Sequence, residues 1–222
     1  MKDIAKIYST DFHRNRREFS WRAKPLVDSI VKYLSPRSVL DVGCSVGDII
    51  AEFQSRGTES YGLECSEAVM EFLLSNPYNM IIHDMRMPPP VPLGVYDLTL
   101  CFEVIEHVGH RHIGQFIRNL ITTSHRILMS AAHPGQKGVE HVSCYPLSYW
   151  EDRFAEFGYL RRQRIADEIK GELVEYEARR GLRAIIANLV YFEKVRGEDH
   201  GRYTGSNNGN PHGHPAQQVE PE

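Results

Sequence analysis

Residues 38–50 read SVLDVGCSVGDII, an apolar run carrying Asp41 that leads straight into Gly43, Ser45 and Gly47. Three small residues at alternating positions let a backbone turn sharply and let a ligand approach with no Cβ in the way. A dinucleotide loop would spread its glycines as G-x-G-x-x-G, and a phosphate-binding P-loop would end in Gly-Lys-Ser/Thr; neither is present. Asp48 falls in the first turn of the helix that follows. An acid there suits the positive helix end but repels a pyrophosphate, which argues against a dinucleotide.

On either side of this loop, two patterns alternate. The β-rich runs are SVLDVG, ESYGLE, NMIIHD, YDLTLCF, RILMSAA and, near the end, NLVYFEKV; residues 48–56, 66–75 and 111–123 have helical spacing. Strand and helix in alternation predict right-handed crossovers and a doubly wound, mostly parallel α/β sheet with helices on both faces. Upstream, WRAKPLVDSIVKYL places Leu26, Ile30, Val31 and Leu34 on one helical face, a cover for that sheet. Residues 1–195 therefore read as one domain, with 1–35 as its helical cover. Residues 196–222 are rich in Gly, Pro and Asn, with almost nothing to bury, and are expected to form a disordered tail. The tail histidines His200, His212 and His214 are read as solvated rather than as a metal trap.

The bulk numbers exclude several classes. The chain has 222 residues, 41% apolar and 25% charged, a soluble globular profile. A net charge of −3 argues against a dedicated nucleic-acid binder, and the short basic runs RNRREF and LRRQR read as solvated faces. Cys44, Cys65, Cys101 and Cys144 have no paired spacing, so neither a disulfide frame nor a thiolate zinc site is expected. The first residues lack a signal-peptide core, and no apolar run approaches the ~18 residues of a membrane span. A cytoplasmic location is the expectation.

In folds of this kind ligands sit at the carboxyl ends of the strands. The second β-run ends at Glu64, where a carboxylate can accept both hydroxyls of a ribose. The third ends in HDM, which would set Asp84 near an adenine amine and the Met85 thioether on the ring face. A ribose and an adenine are indicated, without a phosphate.

VLDVGCSVGDI, YGLE, HDM and YDLTLCFEVIEHV together resemble the successive motifs of the class I S-adenosylmethionine-dependent methyltransferases, over residues 36–195. The resemblance implies a Rossmann-like seven-stranded sheet whose last, antiparallel strand is NLVYFEKV. It also implies donor contacts from Asp41, Gly43, Ser45, Gly47, Glu64, Cys65, Asp84 and Met85, with Phe102 and Glu103 beside the methionine end. Ser45 departs from the family's usual middle glycine.

Beyond the fourth β-run, Glu103, Glu106 and His107 fall on one short turn, and two functional readings compete. In one, they line an acceptor pocket, with His107 as general base; its reference pKa is ~6.5. His133 and His141, in AAHPGQKGVEHVSCYP, are rival bases, so the expected catalytic set is His107, Glu103 and His141. In the other, Glu103, Glu106, His107 and His141 bind a divalent metal. The E-x-x-E-H pattern resembles the metal motif of small-RNA 3′-terminal 2′-O-methyltransferases, and also occurs in quinone-pathway O-methyltransferases. The reading without a metal is preferred. A structural alternative is that Glu106 and His107 simply cap and orient the turn.

SAAHPGQKGVEHVSCYPLSYW resembles a segment of uncharacterised methyltransferases of the broad methyltransferase-domain type, often thought to act on sugars or other small metabolites. Gln136 and Tyr145 in it are candidates to meet a polar acceptor. Trp150, Phe154 and Phe157 share a helical face and read as core. DEIKGELVEYEARRGLRAIIAN reads as a single helix, whose Arg179, Arg180 and Arg183 either meet an anionic substrate or pair with Glu172, Glu175 and Glu177.

The expected function is methyl transfer from S-adenosylmethionine to a hydroxyl, or less favourably an amine, of a small-molecule acceptor such as a sugar or secondary metabolite. No membrane or nucleic-acid partner is expected. The alternatives are a metal-dependent RNA 2′-O-methyltransferase, a non-catalytic S-adenosylmethionine-binding partner protein and, disfavoured by Asp48, a nicotinamide-dependent reductase.

Overall fold

A computed structural model describes residues 8–195; the expected tail and its histidines lie outside the described residues. Seven strands form one sheet: β1 (Ser38–Val42), β2 (Glu59–Glu64), β3 (Met80–Ile82), β4 (Leu98–Phe102), β5 (Arg126–Ser130), β6 (Tyr159–Arg161) and β7 (Val190–Lys194). Their order is β3-β2-β1-β4-β5-β7-β6. The first five run parallel, while β7 is antiparallel to both β5 and β6. The chain winds outward from β1 to β3 and then returns to the other side of β1 as β4. The crevice between β1 and β4 is therefore the topological switch point at which such sheets hold ligands.

Alternation along each strand sorts residues to the two faces. Leu40, Val42, Cys101, Ile127, Met129, Val190 and Phe192 join one core cluster, together with helices α4 (His110–Thr123) and α5 (Leu147–Ala155). Val39, Leu98, Leu100, Leu128 and Tyr191 join the other. There they meet α2 (Ala23–Leu34), α3 (Asp48–Ser55), α6 (Gln163–Glu172) and α7 (Arg183–Asn188). Trp150 and Phe154 are core residues, as expected, and Phe157 packs against the cluster.

Several elements differ from the sequence expectation. On α2 the buried stripe is Leu26, Val27, Ile30 and Leu34; Val31 is only partly buried at its edge. Residues 66–75 yield only a short 3-10 stretch, Glu67–Phe72. The single helix expected up to Asn188 is broken into α6, a 3-10 turn (Val174–Tyr176) and α7. Gly181 lies in the break with φ +105°, a backbone that helical residues do not adopt. β6 has no apolar run of its own and exists because β7 offers it a pairing edge.

A further helix, α1 (Thr10–Arg16), precedes α2 and is joined to it by a 3-10 segment, Arg17–Arg22. Among the described residues no helix is long and apolar enough to cross a membrane.

Candidate active site

The loop after β1 takes left-handed backbone at the three alternating positions: Gly43 φ +75°, Ser45 φ +49° and Gly47 φ +71°. A Cβ on Gly43 would lie 2.4 Å from Val104 Cγ2, because the β1 and β4 loops touch there. Gly47 is similarly confined, with Ser75 Oγ 2.5 Å from where its Cβ would be. Ser45 carries a side chain through the left-handed region, at a cost of about 1–2 kcal/mol. Its hydroxyl shares a hydrogen bond of 3.3 Å with Nδ1 of His13, a fully buried residue of α1. Sequence reading missed His13; nothing local marks a histidine so far from the loop as its partner.

Glu64, at the tip of β2, is 6% exposed. Its two oxygens accept from Ser45 N at 3.1 Å and from Cys65 N at 2.7 Å, with Cys65 Sγ 3.2 Å away. The carboxylate thus ties the first two strand tips together. Ser66 Oγ donates to the Tyr8 carbonyl at 2.8 Å, so the chain entering α1 lies across these tips.

Asp41 is buried at the switch point, and burial, reinforced by Asp48, pushes its carboxyl up to about 8. Asp48 itself is 2.9 Å from Arg22 Nε in a buried ion pair. Its charge is compensated from the N-terminal cover, which corrects the expectation of a carboxylate free to repel phosphate; the departure from G-x-G-x-x-G remains. Asp84 lies just past β3 and is clasped by Arg86 at 2.8 and 3.0 Å. Burial acts to raise its pKa, but the Arg86 hydrogen bonds outweigh it and hold the group below the usual carboxylate range. Met85 does not stand on an open ring face. It is 3% exposed inside the core cluster with Leu63 and Val108, so its side chain packs rather than flanks a ligand. Phe102, at the tip of β4, is partly buried against the opposite cluster.

The facing side, expected to receive the acceptor, is built from the turn after β4 and the segment after β5. Glu103 also has positive φ, +53°. Its carboxylate accepts from Asn188 Nδ2 at 3.2 Å and Gln136 Nε2 at 3.4 Å, and Asn188 Nδ2 also meets Gln136 Oε1 at 2.9 Å. Glu106 turns the other way: it is 0% exposed and neither carboxylate oxygen has a hydrogen-bond partner. Its side chain therefore does not cap the turn. What ties the turn down is its carbonyl, which accepts from Val142 N and Ser143 N at 3.0 and 2.9 Å. Burial, with Glu103 adding, pushes the Glu106 carboxyl up to about 8.

His107 Nδ1 lies 3.1 Å from the Glu140 carbonyl, and His141 Nδ1 lies 3.1 Å from the Gln136 carbonyl. The two rings are 5.0 Å apart, nearly perpendicular. Burial and then His141 push His107 down to about 4. One ligating atom each from Glu106, His107 and His141 lie within 4.8 Å of one another. Glu103, engaged by Gln136 and Asn188, is outside that group. Three of the four residues in the metal alternative converge.

His133, Gly135, Gln136, Arg180, Gly181 and Arg183 line a cleft of about 540 Å³ on this side. Glu172 pairs with Lys32 and Tyr33, not with an arginine of its own segment, and Arg179 stacks 3.5 Å over Trp21. Arg180, whose guanidinium also lies 5.2 Å from the Phe19 ring centroid, and Arg183 line the cleft. Tyr145 does not turn toward it; its hydroxyl meets His110 Nδ1 at 2.7 Å.

A family described as "Methyltransferase domain" matches residues 13–133, more than half of the chain. No curated protein sequence matches it. Solved structures of low identity share the fold. Magnesium protoporphyrin IX methyltransferase (ChlM) from Synechocystis PCC 6803, with bound SAH, is 20% identical at TM-score 0.53, over 73% of this chain and 91% of its own. The sugar N-methyltransferase KedS8 from Streptoalloteichus sp ATCC 53650 is 14% identical at TM-score 0.58, over 85% and 93%. The plantazolicin methyltransferase BpumL, in complex with SAH, is 14% identical at TM-score 0.57, over 86% and 93%. With β1 to β5 parallel, β7 antiparallel and the glycine turn at the switch point, the chain belongs to the methyltransferase-domain family of class I S-adenosylmethionine-dependent methyltransferases.

Proposed function

We propose that the chain moves a methyl group from S-adenosylmethionine to a hydroxyl of a small, anionic molecule such as an acidic sugar, with an amine as the alternative acceptor. The observation that carries this reading is the joining of two strand tips by one carboxylate. Glu64, fixed by the Ser45 and Cys65 amides, has lone pairs left for ribose hydroxyls beside the glycine turn that Gly43 packs against Val104. Asp84, kept ionised by Arg86, would accept from the adenine amine. Phe102 and Glu103, at the β4 tip, would border the methionine end. Methyl transfer from a sulfonium is an in-line displacement that asks chiefly for alignment.

Acceptor size and charge are read from the other half. A 540 Å³ cleft suits a small molecule, and Arg180 and Arg183 on its wall favour a carboxylate or phosphate on it. An oxygen acceptor must also lose its proton. His107 and His141 each give their Nδ1 hydrogen to a carbonyl, so each Nε2 keeps its lone pair, free to take the acceptor's proton while no metal holds it. ChlM, KedS8 and BpumL are methyltransferases of a porphyrin, a sugar and plantazolicin, which agrees with a small-molecule acceptor.

Calorimetric titration with S-adenosylhomocysteine and with NAD tests the donor, and a labelled-methyl screen of neutral and anionic acceptors tests the rest. Preference for NAD sinks the donor assignment. Turnover confined to uncharged acceptors, or to small RNA, sinks the acceptor assignment.

A further inference from the structure

We propose that Glu106, His107 and His141 form a binding site for a first-row divalent transition metal, with Glu103 excluded from it. Convergence of three ligating atoms within 4.8 Å is the first observation. The second is independent: Glu106 is a fully buried carboxylate with no hydrogen-bond partner of good geometry, only the Glu106 and Ala132 backbone amides acting on it from nearby. A cation between it and two imidazoles supplies the missing partner. The third is the fixing of both tautomers. A carbonyl can only accept, so Glu140 and Gln136 hold the Nδ1 hydrogens of His107 and His141 and leave each Nε2 with its lone pair, the form a metal requires. Gly138 lets the backbone pack against the His141 ring, since a Cβ there would fall 2.1 Å from Nε2.

Two imidazoles and one carboxylate suit manganese, iron, cobalt or zinc better than magnesium or calcium, which take all-oxygen shells. Three protein ligands leave open positions for water or an acceptor oxygen. Gln136, whose carbonyl orients His141, also lines the acceptor cleft. On the proposed function, which this role rests on, an acceptor hydroxyl bound there is acidified. Its oxygen bonds the methyl carbon as the carbon–sulfur bond breaks, S-adenosylhomocysteine leaves, and the proton passes to solvent.

The site is tested without turnover. The full chain is stripped with chelator, dialysed and titrated with manganese(II), followed by electron paramagnetic resonance and calorimetry. A single equivalent should bind. Glu106→Gln and, separately, His141→Ala should each weaken it at least about tenfold, while Glu103→Gln leaves it unchanged. Circular dichroism and S-adenosylhomocysteine affinity, which depend on the β1–β2 tips, show that each variant is folded. His141→Ala carries the test if Glu106→Gln does not fold. No saturable binding by the native chain, equal binding by folded variants, or an equal loss in Glu103→Gln overturns the proposal. Manganese binding with no S-adenosylhomocysteine binding would instead sink the donor assignment and leave the metal site standing.

Discussion

The two sides of the crevice are held by different kinds of contact. On the donor side, the β1 loop is fixed by backbone: Gly43 N and Cys44 N both donate to the Leu63 carbonyl, at 2.8 and 3.2 Å, and Glu64 receives two amides. On the acceptor side, the functional groups are held by side chains from far along the sequence. Glu103 is reached by Gln136 and Asn188, and the Glu106 carboxylate is buried beside His107 and His141 with neither oxygen hydrogen-bonded. A backbone-held site tolerates change in its side chains but not in its turn. A side-chain-held site can be retuned one residue at a time, which suits a family that keeps its donor and varies its acceptor.

The strongest way to break this contrast is Gly43→Ala. The substitution forces a side chain into left-handed backbone, at about 1–2 kcal/mol, and into Val104, at about 1–3 kcal/mol more. A large fall in melting temperature and loss of S-adenosylhomocysteine binding are expected; an unchanged melting temperature would show that the two loops are not packed as described. Next is Glu64→Ala, which should weaken S-adenosylhomocysteine by on the order of 1–3 kcal/mol through its lost charge-assisted bonds. Isothermal titration reads this directly, and equal affinity removes Glu64 from the donor site.

Asp41 sharpens the comparison through pH. Its folded pKa, about 8, is raised above the unfolded value, so the neutral acid is the form the fold prefers. Its stabilising contribution is complete below the ordinary carboxylate range, is lost progressively as pH rises toward about 8, and is flat beyond. The slope approaches about 1.4 kcal/mol per pH unit at most. Denaturant melts of Asp41→Asn across that window should show a shallower decline than the parent; identical slopes would place the titration elsewhere. The smallest effect is expected for Arg183→Ala, an exposed cation on the acceptor wall. It should raise KM for an anionic acceptor by several-fold, about 1 kcal/mol or less, and leave S-adenosylhomocysteine affinity unchanged. A shift in donor affinity instead would mean that the two sides are not separable.

The turn after β1 and the acids near the next two strand tips were legible because their signals are local. Gly43, Ser45 and Gly47 announce a turn within five residues, and Glu64 and Asp84 sit where their β-runs end. The misreadings came where packing overrides pattern. Met85 follows Asp84 in sequence as any ring-flanking residue would, yet its side chain points into the core. Val27, with Leu26 and Ile30, lies on the stripe of α2 buried against α3 and the sheet, and Val31 is left at its edge. The stretch ending at Asn188 has helical composition throughout, yet it leaves the helix after Glu172 and turns again at Gly181, and the break places Arg180 and Arg183 on the cleft.

By itself the sequence determined six of the seven strands, the glycine turn at the first strand tip and the carboxylates at the next two, because hydrophobic period and backbone freedom are properties of neighbouring residues. Tertiary structure alone decided that His13 would partner Ser45, that Arg22 would neutralise Asp48, and that Glu103 and Glu106, three positions apart, would face different surroundings. Those outcomes depend on which segments meet across the sheet edge, and the burial and charge there are set by residues dozens of positions away.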